Sequence, residues 1–479
     1  MAHDVTYQRP EYLAAMRWRW PMVRDICAGS ECVKAKKETY LPKPNSTDES
    51  EQNKARYKAY VQRAVFFNAT GGTKKGLIGA VFRVVPTLNV PGLLQYVAKD
   101  IDGAGNSIYQ QSQSVLGQVL ESGRAFLLAD YPAVQGGASR ADQVSGRIRS
   151  TLTAYDAQDV INWDVQKVGA EHILSLVVIR ECLKERDGFG YNEVEQYRVL
   201  EVIGGIYTVT LWRQTSGGWE SSGAVTPLRS NGKPWDRIPG TFVGAENNDV
   251  TVDEAPLYDL AELNLGHYHN SADYEDAAYL MGQPQVFMAG LDEQWVELLE
   301  KKGIYFGSRA ILPLPANGSA GILQAQPNTM VKEAMDSKER QMVALGARLI
   351  ERGSATKTAT QETNENAAEH SVLSLVASNV SEAYTKALGW MGEFEGATGA
   401  VEYKLNQDFV EATLDAQMLQ ALVAAWQAGA LTQSALFRLL RKFDLVDPEK
   451  TDEQLRDELE QNAPGLNLDD DDGDATVTG

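Results

Sequence analysis

The sequence predicts an α+β chain, and three observations carry that prediction. Long segments toward both ends place apolar residues at helical spacing. Between them, from about Phe126 to Val243, short stretches rich in β-branched and aromatic residues are separated by glycine turns. A further stretch, 256–352, reads as helix, small α/β unit, helix.

Composition sets the class. The chain has 479 residues, 43% hydrophobic and 23% charged, ordinary for folded protein and long enough for two to four domains. No window approaches the roughly 18 apolar residues of a membrane span. The N-terminus carries charge and aromatics rather than the apolar core of a signal peptide, so a cytoplasmic protein is expected. Cys27, Cys32 and Cys182 lack zinc-site spacing and read as free thiols. The net charge of −20 argues against a general nucleic-acid binder, which presents a basic surface. It allows a protein that passes nucleic acid without gripping it, because a negative wall repels phosphate.

Helices are predicted around Pro10 and Pro21, over Glu51–Asn68 and over Ser107–Ser122, with 41–50 a polar linker. Thr70-Gly-Gly-Thr-Lys-Lys-Gly76 lacks the P-loop order of G-x-x-x-x-G-K-[ST], so it reads as a structural turn. Val134–Ser150 reads as an exposed loop. His172–Cys182, Glu193–Val202, Ile206–Arg213 and Trp219–Ser222 are strands joined by hairpin turns at Asp187-Gly188, Gly204-Gly205 and Gly217-Gly218.

A helix from Pro256 to Met281 follows. Its stripe of Leu257, Leu260, Ala261, Asn264, Tyr268, Ser271 and Glu275 fades from apolar to polar, so its two ends need different environments. His267 and His269 are two apart and point to different sides, so they read as helix surface or subunit contact rather than a metal pair. A strand at Gln285–Met288, a helix at Asp292–Lys301 and short strands at 304–306, 310–314 and 322–326 make the small unit. Val331–Arg352 is the second helix, with Met335, Met342, Leu345 and Leu349 on one face. Gly353–Thr360 is a loop of small and hydroxyl residues with one lysine. Thr358 and Gln361 have capping-box spacing, so a helix of 34 residues, roughly 50 Å long, is expected from there to Phe394, ended by Gly396. Further helices at Asp408–Gly429, Gln433–Phe443 and Thr451–Glu460 read as bundle packing rather than a DNA-reading helix-turn-helix, since acidic helices follow. The aspartates from Asp469 to Asp474 make an acidic tail expected to be disordered.

No catalytic motif occurs: there is no G-x-S-x-G, no H-E-x-x-H and no paired C-x-x-C. An enzyme reading has no residue to rest on, and no cofactor or metal is expected.

The order of these parts resembles the portal proteins of tailed bacteriophages, within a portal-like subgroup formerly labelled a domain of unknown function. The resemblance is carried by Pro256-Leu-Tyr-Asp-Leu-Ala-Glu-Leu-Asn264, the exit Gly282-Gln-Pro-Gln-Val-Phe-Met-Ala-Gly290, Lys357-Thr-Ala-Thr-Gln-Glu-Thr363 and Ala424-Ala-Trp-Gln-Ala-Gly-Ala-Leu-Thr432. It implies a portal fold with a β-rich wing, a two-helix stem, a small α/β clip, a long wing helix and a helical crown. Residues 1–70 would be an N-terminal helical segment, 71–250 the wing, 251–282 and 329–352 the stem helices and 283–328 the clip. Residues 353–360 would be the tunnel loop, 361–404 the wing helix, 405–463 the crown and 464–479 the tail. In such a portal the loop residues Gly353, Ser354, Thr356, Lys357, Thr358 and Thr360 would face DNA. Asp292, Glu293, Trp295, Lys301, Lys302 and Arg309 on the clip would dock the packaging motor and tail adaptor.

The resemblance further implies a non-enzymatic homododecamer at one capsid vertex of a virion, assembled in the host cytoplasm. Double-stranded DNA would pass through its channel during packaging and ejection. Its partners would be the terminase large subunit, a head–tail adaptor and the major capsid and scaffolding proteins, with no membrane. A ring of twelve would hold roughly −240 charges, and Glu362, Glu365, Glu369, Glu382, Glu393 and Glu395 face only Lys386 on the long helix. The alternative is a head–tail adaptor or another ring-forming virion structural protein.

Overall fold

Residues 10–35 fold as three short helices, α1 (Pro10–Met16), α2 (Arg19–Ala28) and α3 (Ser30–Ala35). Proline opens the first, where its missing N–H costs nothing. Helix α4 (Glu51–Arg63) begins at Ser50, whose hydroxyl accepts from Asn53 N. The computed structural model describes residues 4–132, 148–282, 285–302, 314–315, 317–323, 329–350, 371–409, 432, 434, 437 and 450–461.

The glycine-rich stretch at 70–76 is not a turn. It lies inside helix α5 (Ala69–Val81), capped by the Asn68 side chain, which accepts from Gly71 N. The glycines that suggested a turn serve close packing: a Cβ at Gly71 would lie 2.5 Å from Cys27 O. α5 also crosses the expected boundary at residue 70. Strand β1 (Thr87–Asn89) follows. Helix α6 (Ile108–Ser122) is held by a capping box between Ser107 and Gln110.

The β region is antiparallel throughout. Strands β2 (Arg124–Asp130), β3 (Thr151–Asp156) and β9 (Gly240–Gly244) form one sheet, ordered β3-β2-β9. Strands β4 (Val160–Val168), β5 (Glu171–Asp187), β6 (Gly190–Ile203), β7 (Ile206–Thr215) and β8 (Gly218–Val225) form a five-stranded meander. The hairpin glycines hold positive φ, 58° at Gly188, 59° and 79° at Gly204 and Gly205 and 115° at Gly218, as the turns require. Arg198 joins the two sheets, with Glu181 Oε1 at 2.8 Å and Asp130 Oδ2 at 3.4 Å. Of the expected loop 134–150, residues 134–147 lie outside the described residues. Ser150 is buried, its hydroxyl on Tyr96 and on Met391 O.

Helix α7 (Tyr258–Met281) leads to β10 (Gln285–Ala289), α8 (Glu293–Lys302) and β11 (Ser319–Leu323), then to α9 (Thr329–Arg348). The strand expected at 322–326 is found at 319–323, antiparallel to β10. Helix α10 (Val372–Glu395) is the centre of the core. Leu373, Val376, Val380, Ala383, Ala387, Trp390, Met391 and Phe394 are buried against α6, β2, β9 and β12 (Glu402–Lys404), which pairs with β1. Gly396 ends it in the left-handed conformation, as expected. Its start differs from the expectation at 358–361. Ser371 is extended (φ −68°, ψ 159°) and caps the helix through Ser374 N, so α10 has 24 residues and spans roughly 36 Å. The Thr358–Gln361 pair lies outside the described residues.

The chain divides into a unit over 1–409 and a second over 410–479. In the second, α11 (Asp452–Gln461) starts at Thr451, whose hydroxyl accepts from Gln454 N while its own N–H donates to Gln454 Oε1.

Candidate functional site

Helices α7 and α9 pack along each other. His267 Nε2 stands 3.1 Å from Glu339 Oε1, and the Lys338 side chain crosses Gly266. Seven residues further along α9, Gly346 meets Thr73 of α5. The start of that same helix lies against the earlier turns of α7, where Thr70 Oγ1 reaches Leu260 O and Asn264 Oδ1. Going forward on α9 therefore goes backward on α7, and the pair is antiparallel.

The two ends of α7 have different surroundings, as its fading stripe predicted. The first half is buried through Leu260, Ala261, Asn264, Leu265, Tyr268 and Ala272. Asn264 binds Thr70 N at 3.1 Å and Phe67 O at 2.8 Å. Further along, Tyr60 donates to Asp273 at 2.6 Å and Arg63 pairs with Asp276. Beyond them Tyr279 and Leu280 are exposed. His267 is not helix surface but buried between α7 and α9, and His269 is half-buried, its Nε2 2.6 Å from Tyr40 O. No group of residues that could hold a metal occurs among the described residues.

The small unit lies in sequence between these helices. Of its expected docking residues, Asp292 is the N-cap of α8, accepting from Trp295 N at 2.9 Å. Glu293 is exposed in the first turn, Trp295 is half-buried, and Lys301 is exposed, 3.7 Å from Glu297. Lys302 ends the helix. Arg309 lies outside the described residues, as do all six tunnel-loop residues, Gly353, Ser354, Thr356, Lys357, Thr358 and Thr360. Leu373 N donates to Leu349 O at 3.0 Å, so the end of α9 and the start of α10 meet at one point.

Of the six glutamates expected on the long helix, Glu362, Glu365 and Glu369 lie outside the described residues, and the three on α10 have partners. Glu393 pairs with Arg229 at 2.9 Å, Glu395 accepts from Ser150 N, and Glu382 is near Asn248. Lys386 makes no ion pair among the described residues. It is exposed, with its ammonium over the Trp390 ring, 5.4 Å from the centroid, and partial desolvation there pulls its pKa down against the attraction of Glu382.

Three features escaped the sequence reading. The β1–β12 ribbon is too short to leave a pattern. Arg124 is buried between the rings of Trp163 (4.3 Å) and Phe242 (3.8 Å), and burial lowers its pKa to about 9. Strand β5 is longer than the apolar run that marked it, because its last residues face water on both sides.

Residues 256–395 match a family described as "Domain of unknown function (DUF4055)", a span running from the start of α7 to the end of α10. No curated protein matches the chain. Among solved structures, it is similar to a chain in the virion of a native gene transfer agent particle, 14% identical, with 78% of this chain and 90% of that one covered and a TM-score of 0.38. Similar chains occur in the neck of the empty particle computed with C6 symmetry (16%, 80% and 92%, TM-score 0.40) and of the native particle computed with C12 symmetry (16%, 80% and 92%, TM-score 0.37). Likenesses of this degree assign no function to the chain.

Proposed function

We propose that the chain is a phage-type portal protein. Copies of it form a ring at one capsid vertex, a conduit for double-stranded DNA and a platform for a terminase motor and a tail adaptor. The observation that carries this reading is the antiparallel α7–α9 stem with the β10–α8–β11 unit inserted between its helices. It is the arrangement that the resemblance implies, in the expected order and place. The stem also leaves Tyr279, Leu280, Met330 and Val343 exposed, and neighbouring stems in a ring would cover such residues. The loop at 353–360 would form the inner lip of the channel, with Lys357 as a single weak phosphate contact per subunit. ATP hydrolysis would belong to a separate motor.

Mass photometry and negative-stain imaging test the ring: closed rings of one dominant size are expected, and a monomer under every condition would sink the proposal. Lys357→Glu should leave rings intact and reduce packaged or retained DNA. An unchanged packaged-DNA yield would remove Lys357 from the channel.

A further inference from the structure

The five-stranded sheet has an arm at one end and a cleft at the other. Strand β4 accompanies β5 only as far as Ile179, and β7 accompanies β6 only from Gln196. Beyond the Cys182–Glu195 pair, the two central strands therefore run on as a two-stranded ribbon to the turn at Gly188-Phe189. A ribbon of this kind has little stability of its own in water. At its tip Phe189 is fully exposed and Tyr191 is 68% exposed. Arg213 of β7 reaches Glu185 on the arm at 3.6 Å, and past it the tip stands clear of the sheet. Turn residues of a solvated hairpin are mostly small or polar, so an aromatic ring at this tip departs from the usual turn chemistry.

The cleft has a volume of about 520 Å³, within the range of sites that take a compact group. It lies where β5 begins, lined by His172, Phe242 and Asp249 together with Lys386 and Trp390 of α10. It offers the Phe242 and Trp390 rings, an Arg237–Glu171 ion pair, the Asp249 carboxylate and the Lys386 ammonium, which has no ion-pair partner among the described residues. The arm tip offers the reverse, an exposed Phe189 beside Asp187, a carboxylate that also has no ion pair among the described residues.

We propose that the Phe189 tip of one copy seats in the Lys386–Trp390 cleft of the next copy, with Asp187 meeting Lys386. β5 has 17 residues from Glu171 at the cleft to Asp187 at the arm, roughly 50 Å of extended strand. An arm cannot fold back over that distance into its own cleft. A contact between opposite ends of one chain, repeated in one direction from copy to copy, is heterologous, the kind that generates rings when its rotation closes. The closure of this contact rests on the ring reading given above; the contact itself does not.

A cysteine pair tests it. Phe189→Cys with His172→Cys, in a Cys182→Ser background, cannot cross-link within one chain. Mild oxidation of the assembled protein should give a reducible ladder of multimers that either single cysteine fails to give. Phe189→Ser, which changes only an exposed side chain, should keep the wild-type melting temperature and raise the concentration needed for assembly about tenfold or more. If rings form and no ladder appears, the arm contact is wrong while the ring stands. If neither assembly nor ladder appears at any concentration, both fall.

Discussion

At the residue scale, packing decides what two adjacent glycines are for. Gly71 and Gly72 both lie in α5, and either would be scored as a helix weakness. A Cβ at Gly71 would meet Cys27 O at 2.5 Å and Asn68 Oδ1 at 2.6 Å, whereas one at Gly72 meets nothing within 4 Å. Gly71→Ala should therefore destabilise the chain by about 1–3 kcal/mol through backbone displacement. Gly72→Ala should stabilise it by about 0.5–1 kcal/mol through helix propensity. Opposite shifts in the denaturant midpoint check the pair, and equal shifts would mean that α5 and α2 are not in this contact.

Lys386 gives a residue-scale test that separates stability from assembly. Partial desolvation depresses its pKa, so the folded chain disfavours the charged form. That cost is fully present below the folded pKa and disappears as pH rises from there through the ordinary value of 10.5. Lys386→Met should raise the melting temperature at neutral pH, with a gain that shrinks as pH rises toward 10.5. If Lys386 also receives Asp187 of a neighbour, the same variant should assemble less well. A stabilised variant that assembles normally would show that the lysine has no partner to wait for.

At the scale of elements, the packing of α7 on α5 depends on a polar tie rather than on apolar contact alone. Asn264 is fully buried, accepts from both the N–H and the hydroxyl of Thr70 and donates to Phe67 O. Asn264→Leu keeps the volume and strands these groups, so a loss of about 3 kcal/mol is expected in chemical unfolding. A neutral result would mean that water reaches this junction. The stripe that drew attention to α7 showed Asn264 sharing a face with Leu257, Leu260 and Tyr268, yet it did not reveal the partner. Thr70 lies 194 residues away, in a segment whose glycines argued for a turn.

This marks how far the sequence could be read. Helical periods, caps and Gly-Gly turns gave α4, α6, α7, α9, the β5–β8 meander and the end of α10, because those signals are local. The start of α10 was placed too early because the capping-box spacing at Thr358 drew attention away from Ser371, whose hydroxyl accepts from Ser374 N. The burial of His267 and the pairing of Glu393 with Arg229 depend on distant chain, which periodicity does not encode. The candidate site was legible as an order of parts and much less as a set of residues.

At the scale of the whole molecule, charge sets the terms of assembly. Each chain carries −20, and in the proposed ring like charges sum over every copy. The ion pair proposed between Asp187 and Lys386 acts over one contact and is worth on the order of 1 kcal/mol where water reaches it. Repulsion between chains of this charge extends over a Debye length, about 30 Å at 0.01 M salt and 8 Å at 0.15 M. The long-range term should win at low salt. Ring formation is therefore expected to strengthen as sodium chloride rises from about 0.01 M to 0.15 M, with the ring fraction followed by mass photometry at fixed protein concentration. Seating of Phe189 should survive this change, because burial of an aromatic ring is not screened by salt. Rings that form best at the lowest salt and dissolve on screening would instead place the association energy in exposed ion pairs, leaving the aromatic arm little part in it.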